Sequence, residues 1–176
     1  MSRPATGETA AIPDLGLGVD TLFYRLMRLV NMTARPFFTD FAARYDLTIN
    51  EWRVMLALNA RPGLSVQEIA EVNGFDKMSA SRAVRRLISH GRVVRATDRQ
   101  DRRRTRHSLS PEGAAIFAGI SPFALERADA LFGRLTPREV AQLKRILDKL
   151  ERHAEVWKDA EPTAAGHSDA GVAAKG

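Results

Sequence analysis

The chain of 176 residues is 44% hydrophobic, carries a formal charge of +6 with a pI near 10.3, and contains no cysteine. That length suits one packed domain, or a small domain with an oligomerisation arm, and the basic balance favours an anionic partner. Disulfides, thiolate catalysis, zinc fingers and direct thiol sensing of peroxide are excluded together, and with no apolar run of about 18 residues and no apolar core near the N-terminus, neither a membrane span nor a secretory peptide is expected, which points to the cytoplasm.

Residues 1–13 mix Gly, Thr, Pro and Ala without periodicity and read as a disordered tail, as does the stretch 160–176. From Val19 the apolar positions Leu22, Phe23, Leu26, Leu29 and Val30 recur at helical spacing among Asp20, Arg25 and Arg28. Pro36 is expected to kink or end that helix, and Phe37, Phe38, Phe41 and Tyr45 continue an aromatic stripe. Such a stripe closes either over its own core or over a second subunit, and the sequence leaves both open.

Thr48-Ile49-Asn50-Glu51 has the form of a capping box, which starts a helix carrying Trp52, Val54, Met55, Leu56 and Leu58 to a stop at Pro62-Gly63. Leu64 is placed to pair in a short strand. Ser65-Val66-Gln67-Glu68 repeats the box and starts a short helix with Ile69, Ala70 and Val72, which ends at Asn73-Gly74. Phe75 reads as an anchor in the turn, and Asp76 caps the next helix, giving the layout of a helix-turn-helix.

That next helix, Asp76 to Ser89, sorts its residues by face. At about 100° per residue, Ala80, Ala83, Val84, Leu87 and Ile88 share one sector, Met78, Arg82, Arg85 and Ser89 point the opposite way, and Ser79, Ser81 and Arg86 flank them. One side suits packing on a domain; the other suits phosphates and base edges. Lys77, Ser79, Ser81, Arg82, Arg85 and Arg86 are therefore candidate DNA contacts, Arg86 toward phosphate rather than base. The competing reading is a solvated charged face, and the segment that follows weighs against it.

Arg92-Val93-Val94-Arg95 reads as a strand, Asp98 to Arg104 as a polar tip without glycine, and Thr105 to Leu109 as the returning strand of a wing. Between Asp76 and Ser108 stand eleven Lys or Arg against three acids, so the positive charge is a local patch and the rest of the chain is net negative. Arg99, Arg102, Arg103 and Arg104 are candidates to track phosphate or enter a minor groove, with Asp98 and Asp101 holding the wing and Asp101 expected to fix Arg103 by an ion pair. A merely charged loop tip is the competing reading. Ser110-Pro111-Glu112 then starts a helix through Phe117, Ile120 and Phe132, with a kink expected at Pro122. Thr136-Pro137-Arg138-Glu139 starts the last helix. Its stripe of Val140, Leu143, Ile146, Leu147, Leu150, Ala154 and Trp157 has a period near 3.5, which suits packing along another helix.

Trp52 and Phe41 read as core; the competing reading is a ligand pocket formed by Phe41, Tyr45, Trp52 and Arg53. His90 reads as a helix end, against a role in sensing pH or binding a carboxylate. His107, His153 and His167 lack metal-ligand spacing, so no metal and no cofactor is expected. There is no Gly-rich phosphate loop, no H-E-x-x-H and no G-x-S-x-G, and the visible carboxylates serve as caps, so an enzyme is not expected.

The order of elements, with W-R-V-M-x-A-L, D-K-M-S-x-S-R-A-V-R-R-L and an acidic-basic wing followed by L-S-P-E-G, closely resembles the winged helix-turn-helix of the MarR family of bacterial transcription regulators. The resemblance implies a mainly α fold with a small β-hairpin wing. A winged helix-turn-helix DNA-binding domain at 47–110 would be flanked by an N-terminal helical dimerisation segment at 18–46 and C-terminal dimerisation helices at 111–158. It further implies a homodimer on a pseudo-palindromic operator in double-stranded DNA, usually a repressor released by a small-molecule effector, often aromatic or acidic. The wing departs from the family's D-x-R-D-x-R, since Gln100 stands in the place of the third-position arginine. Arg99, Arg102 and Arg103 all remain candidates for the minor groove. The rival from another class is a nonspecific DNA-coating or nucleoid-associated protein using the same patch.

Overall fold

The computed structural model describes residues 18–37, 43–98 and 101–155. Its elements are helices α1 (Leu22–Phe37), α2 (Ala43–Tyr45), α3 (Ile49–Ala60), α4 (Val66–Asn73) and α5 (Lys77–Ser89), strands β1 (Val93–Thr97) and β2 (Thr105–Leu109), and helices α6 (Pro111–Phe132) and α7 (Pro137–Ala154). The chain forms two compact units, one ending at Ala124 and the other beginning at Leu125.

Local chemistry sets where the helices of the first unit begin. Thr48 accepts the Glu51 amide while the Glu51 carboxylate takes the Thr48 amide at 2.8 Å, and Ser65 and Glu68 repeat the exchange. Each box satisfies two backbone donors that a helix start leaves without partners. α4 ends at Gly74, whose φ of +63° is the left-handed conformation that glycine adopts without a Cβ penalty, and α5 starts three residues later with the Ser79 amide on Asp76. The chain therefore reverses between α4 and α5 within one short turn.

The apolar sector expected of α5 is what the fold buries: Ala80, Ala83, Val84 and Leu87 pack with Trp52, Val54, Met55 and Leu58 of α3, Ile69 of α4, Val93 of β1 and Ile120 of α6. Trp52 stacks on Phe117 with ring centroids 5.1 Å apart, so the core reading of this tryptophan holds.

β1 and β2 form an antiparallel hairpin with Val93 opposite Leu109 and Arg95 opposite His107. Leu64 adds the expected bridge, its carbonyl accepting the His107 amide at 2.9 Å while the Gly63 amide donates to the His107 carbonyl at 2.8 Å. The first strand begins one residue later than expected and runs two further. Arg92 belongs to the turn that closes α5, since its amide donates to the Leu87 carbonyl at 2.9 Å, before the ladder starts.

α6 begins on Ser110, whose hydroxyl accepts the Gly113 amide at 2.9 Å and donates to the Gly91 carbonyl at 2.6 Å. A Cβ on Gly113 would stand 2.0 Å from the Arg92 carbonyl oxygen, so the L-S-P-E-G motif is a close backbone crossing that only glycine permits. α6 continues through Pro122 as one helix. α1 carries its apolar residues outward, Leu22 and Phe23 being 78% and 70% exposed. Phe38, Phe41, Trp157 and the two tails lie outside the described residues. In the second unit, α7 starts on a Thr136–Glu139 capping box with Pro137 in its first turn, and Ile146, Leu147 and Leu150 of its stripe are exposed.

Candidate nucleic-acid interface

With its apolar sector against α3 and α4, α5 turns the opposite sector to solvent. Lys77, Met78, Arg82 and Arg85 are exposed, and Ser79 and Ser81 are half-buried beside them. The Arg82 guanidinium donates to the Ser79 hydroxyl at 3.0 Å and the Arg85 Nε to the Ser81 carbonyl at 3.4 Å, bonds within the helix that leave most of each fork open. Asp76, which caps this turn, is held below the usual carboxylate range by the Ser79 hydroxyl and amide.

Arg86 has partners within the fold. Expected toward phosphate, it is drawn back over the start of α3, with Nη2 2.6 Å from Asp46 and Nε 2.9 Å from Glu51, a carboxylate that is only 1% exposed. A buried carboxylate needs a cation, and Arg86 supplies it. Its neighbour Asp46 sits at φ +45° and also meets His90 at 3.3 Å. His90 closes α5 with Nδ1 2.8 Å from the Arg86 carbonyl. Arg92 completes this knot by donating to the Asp46 carbonyl at 2.9 Å and to the Tyr45 carbonyl.

The wing is anchored by Arg106, which sequence reasoning counted only as patch charge. Its Nε lies 2.5 Å from Asp98, and its Nη1 reaches Glu68 at 2.8 Å and the Gly63 carbonyl at 3.2 Å. The hairpin closes with the Asp98 amide on the Arg104 carbonyl, so Arg106 stands two residues along the facing strand, on the diagonal from Asp98. That spacing was the available signal. Glu68 is held down to about 2 by the Ser65 amide and hydroxyl first and Arg106 after them, against an opposing contribution from burial. Arg106 is raised, chiefly by Asp98. His107, buried at the base of the hairpin with Nδ1 3.1 Å from the Leu64 carbonyl, is pushed below the usual histidine value by desolvation and, less, by Arg95 opposite.

At the tip, Arg102, Arg103 and Arg104 are exposed; Arg99 and Gln100 lie outside the described residues. Asp101 accepts the Arg103 backbone amide at 3.0 Å and pairs with the Arg104 guanidinium at 3.3 Å, so the ion pair expected with Arg103 is made with Arg104. The Asp98 carboxylate also accepts the Asp101 amide, which makes both aspartates part of the tip's folding. Between the tip, the start of α4 and Lys77 lies an open groove of about 460 Å³, to which Arg103 and Arg104 contribute.

Of the residues expected to line a ligand pocket, Tyr45, Trp52 and Arg53 lie among the described residues. Arg53 donates to the Asn73 carbonyl at 2.6 Å and lies 4.5 Å over the Phe75 ring, fastening the turn before α5. Burial there lowers its pKa. Tyr45 is half-buried against the core, Trp52 is inside it, and Phe41 lies outside the described residues. Among the described residues no group of His, Asp or Glu is spaced to hold a metal, and no helix is long and apolar enough to cross a membrane.

Comparison with known proteins agrees with this geometry. The sequence profile of the MarR family matches residues 45–104. The HTH-type transcriptional regulator PetP of Rhodobacter capsulatus is 31% identical over 149 residues, covering 82% of this chain and 87% of that protein. CouR from Rhodococcus jostii RHA1, solved bound to p-coumaroyl-CoA, superposes with a TM-score of 0.68 at 20% identity over 75% of this chain and 92% of its own. BpsR of Bordetella bronchiseptica, whose DNA binding is regulated by 6-hydroxynicotinic acid, superposes with a TM-score of 0.65 at 22% identity over 81% and 96%. The matching profile, and a relative 31% identical that is covered over 87% of its length, show that this chain belongs to the MarR family of DNA-binding transcriptional regulators.

Proposed function

We propose that two copies of the chain join through α1 and the C-terminal helices and bind a pseudo-palindromic operator as a repressor that a small aromatic or acidic ligand releases. The observation that carries the DNA reading is the exposed strip on α5, where Arg82 and Arg85 bond to Ser79 and Ser81 of their own helix while Arg86, Arg92 and Arg106 are bound to carboxylates and carbonyls elsewhere in the fold. Ser79, Ser81, Arg82 and Arg85 read base edges in the major groove, Lys77 neutralises phosphate beside them, and Arg99, Arg102, Arg103 and Arg104 follow the backbone or enter the minor groove.

Two recognition helices then stand about 34 Å apart, one helical turn of DNA, and affinity depends on that spacing. The exposed apolar residues of α1 and α7 support the pairing, because such faces on a lone chain mark contact surfaces. The ligands of CouR and BpsR support an aromatic acid or a derivative of one as effector. Such a ligand acts by its differential affinity for the two spacings.

Selection of fragments from random duplex DNA at about 0.15 M salt tests the reading: some sequence should be held roughly 10³-fold more tightly than bulk DNA. Equal retention of every duplex would replace the regulator by a nonspecific coating protein.

A further inference from the structure

Met78 stands outside the buried core of the fold. It is the second residue of α5 and 61% exposed, whereas the residues that seal this helix to the core begin at Ala80. Its position is nevertheless fixed, because the Ser79 amide is bound to Asp76 at 2.8 Å and locks the first turn. At helical spacing Met78 lies in line with Arg82 and Arg85, four and seven residues on, with the polar Lys77 and Ser79 to either side. The outward strip is thus a row of hydrogen-bond donors with one apolar, unbranched side chain at its N-terminal end.

The major groove has one apolar group that projects from its floor, the C5-methyl group of thymine, set among the donors and acceptors of the base edges. Residues near the start of a recognition helix are the ones that reach base edges, and a methionine, with three rotatable bonds and no polar atom to desolvate at a cost, covers a methyl group without demanding one geometry. We propose that Met78 is a specificity-determining residue that selects thymine at one position of each half-site by contact with its methyl group. The assignment rests on the reading of α5 as the base-reading helix, and it makes Met78 a discriminator where Lys77 beside it only adds affinity.

The experiment replaces thymine by deoxyuridine, which removes the methyl group and nothing else. Starting from the best duplex selected by the full-length protein, each thymine is replaced in turn, symmetrically in both half-sites, and binding is followed by fluorescence anisotropy. One position should weaken the wild type by roughly four-fold per half-site, the ratio that burying one methyl-sized group supplies. Met78→Ala should bind the thymine duplex about as the wild type binds the uracil one, and should not distinguish the two. Met78→Leu, apolar and of similar size, should keep the discrimination. The assignment is overturned if no replacement weakens the wild type, or if Met78→Ala keeps the same sensitivity, and in both cases the selected site leaves the regulator reading standing. If selection yields no preferred duplex, the regulator reading falls and takes this assignment with it.

Discussion

Arg85 and Arg86 are neighbours in the chain, yet one faces solvent and the other is bound between Asp46 and Glu51. A helix turns about 100° per residue, so adjacent identical side chains meet different surroundings. The division has separable consequences. Arg82→Ala should weaken binding to a selected operator by about 1–3 kcal/mol and relax preference at one base pair, with little change in unfolding free energy. Arg86→Ala should do the reverse, because Glu51 would keep the Thr48 amide and lose its cation. A fall of about 1–3 kcal/mol in stability is expected, with base preference intact. Urea unfolding together with binding to single-base-pair operator variants measures both quantities. Equal stability losses in the two variants would contradict the division.

The wing holds its shape through ionisable groups, so it is the element on which acid should act. The carboxyl of Glu68 is lowered in the fold to about 2 from an ordinary value of 4.5, and its contribution is therefore complete above 4.5 and is lost as pH falls toward 2. The imidazole of His107 is also lowered, here by burial from an ordinary value of 6.5, so its contribution is complete above 6.5 and is lost as pH falls below it. Both slopes have the same sign, and unfolding free energy should decline on acidification in an upper and a lower step. Asp76 and Glu139 are lowered as well and join the lower step, so Glu68→Gln should shrink that step while leaving the upper one in place. Urea titrations through the acid range test this; a stability that rises between neutrality and pH 4.5 would contradict it. Because Arg106 ties Glu68 to Asp98, the same substitution should loosen the hairpin, read as faster amide exchange in β1 and β2.

At the scale of the whole molecule, the exposed apolar face of α1 is the largest departure from a self-sufficient fold. Leu22, Phe23, Leu26, Leu29 and Val30 are all exposed, and water is a poor solvent for so continuous a row. In the homodimer proposed above, Leu26→Arg places a charge inside the contact between subunits. The variant should sediment as a monomer and lose on the order of a hundred-fold in operator affinity, since the second half-site no longer adds to the first. Its isolated winged unit should still unfold cooperatively, because Leu26 takes no part in that core. A variant that remains dimeric with full affinity would move the interface elsewhere.

Much of this protein is legible in the chain because the signals are local. Capping boxes at Thr48, Ser65 and Thr136, the glycine after α4 and the two-sided periodicity of α5 each act within a few residues, so they hold whatever the rest of the molecule does. Membership in a family of winged DNA-binding regulators follows from their order. What only the tertiary structure decided is which arginines are paired across the fold and which bond within their own helix. The flank position of Arg86 and the diagonal spacing of Arg106 from Asp98 are the local signals, but the partners Asp46, Tyr45 and Glu68 of Arg86, Arg92 and Arg106 lie 38 to 47 residues away along the chain. Arg53 meets the Asn73 carbonyl, and Asp101 pairs with Arg104 rather than Arg103, for the same reason: long side chains with several rotamers settle on whichever partner folding brings within about 3 Å, and no local pattern encodes that choice.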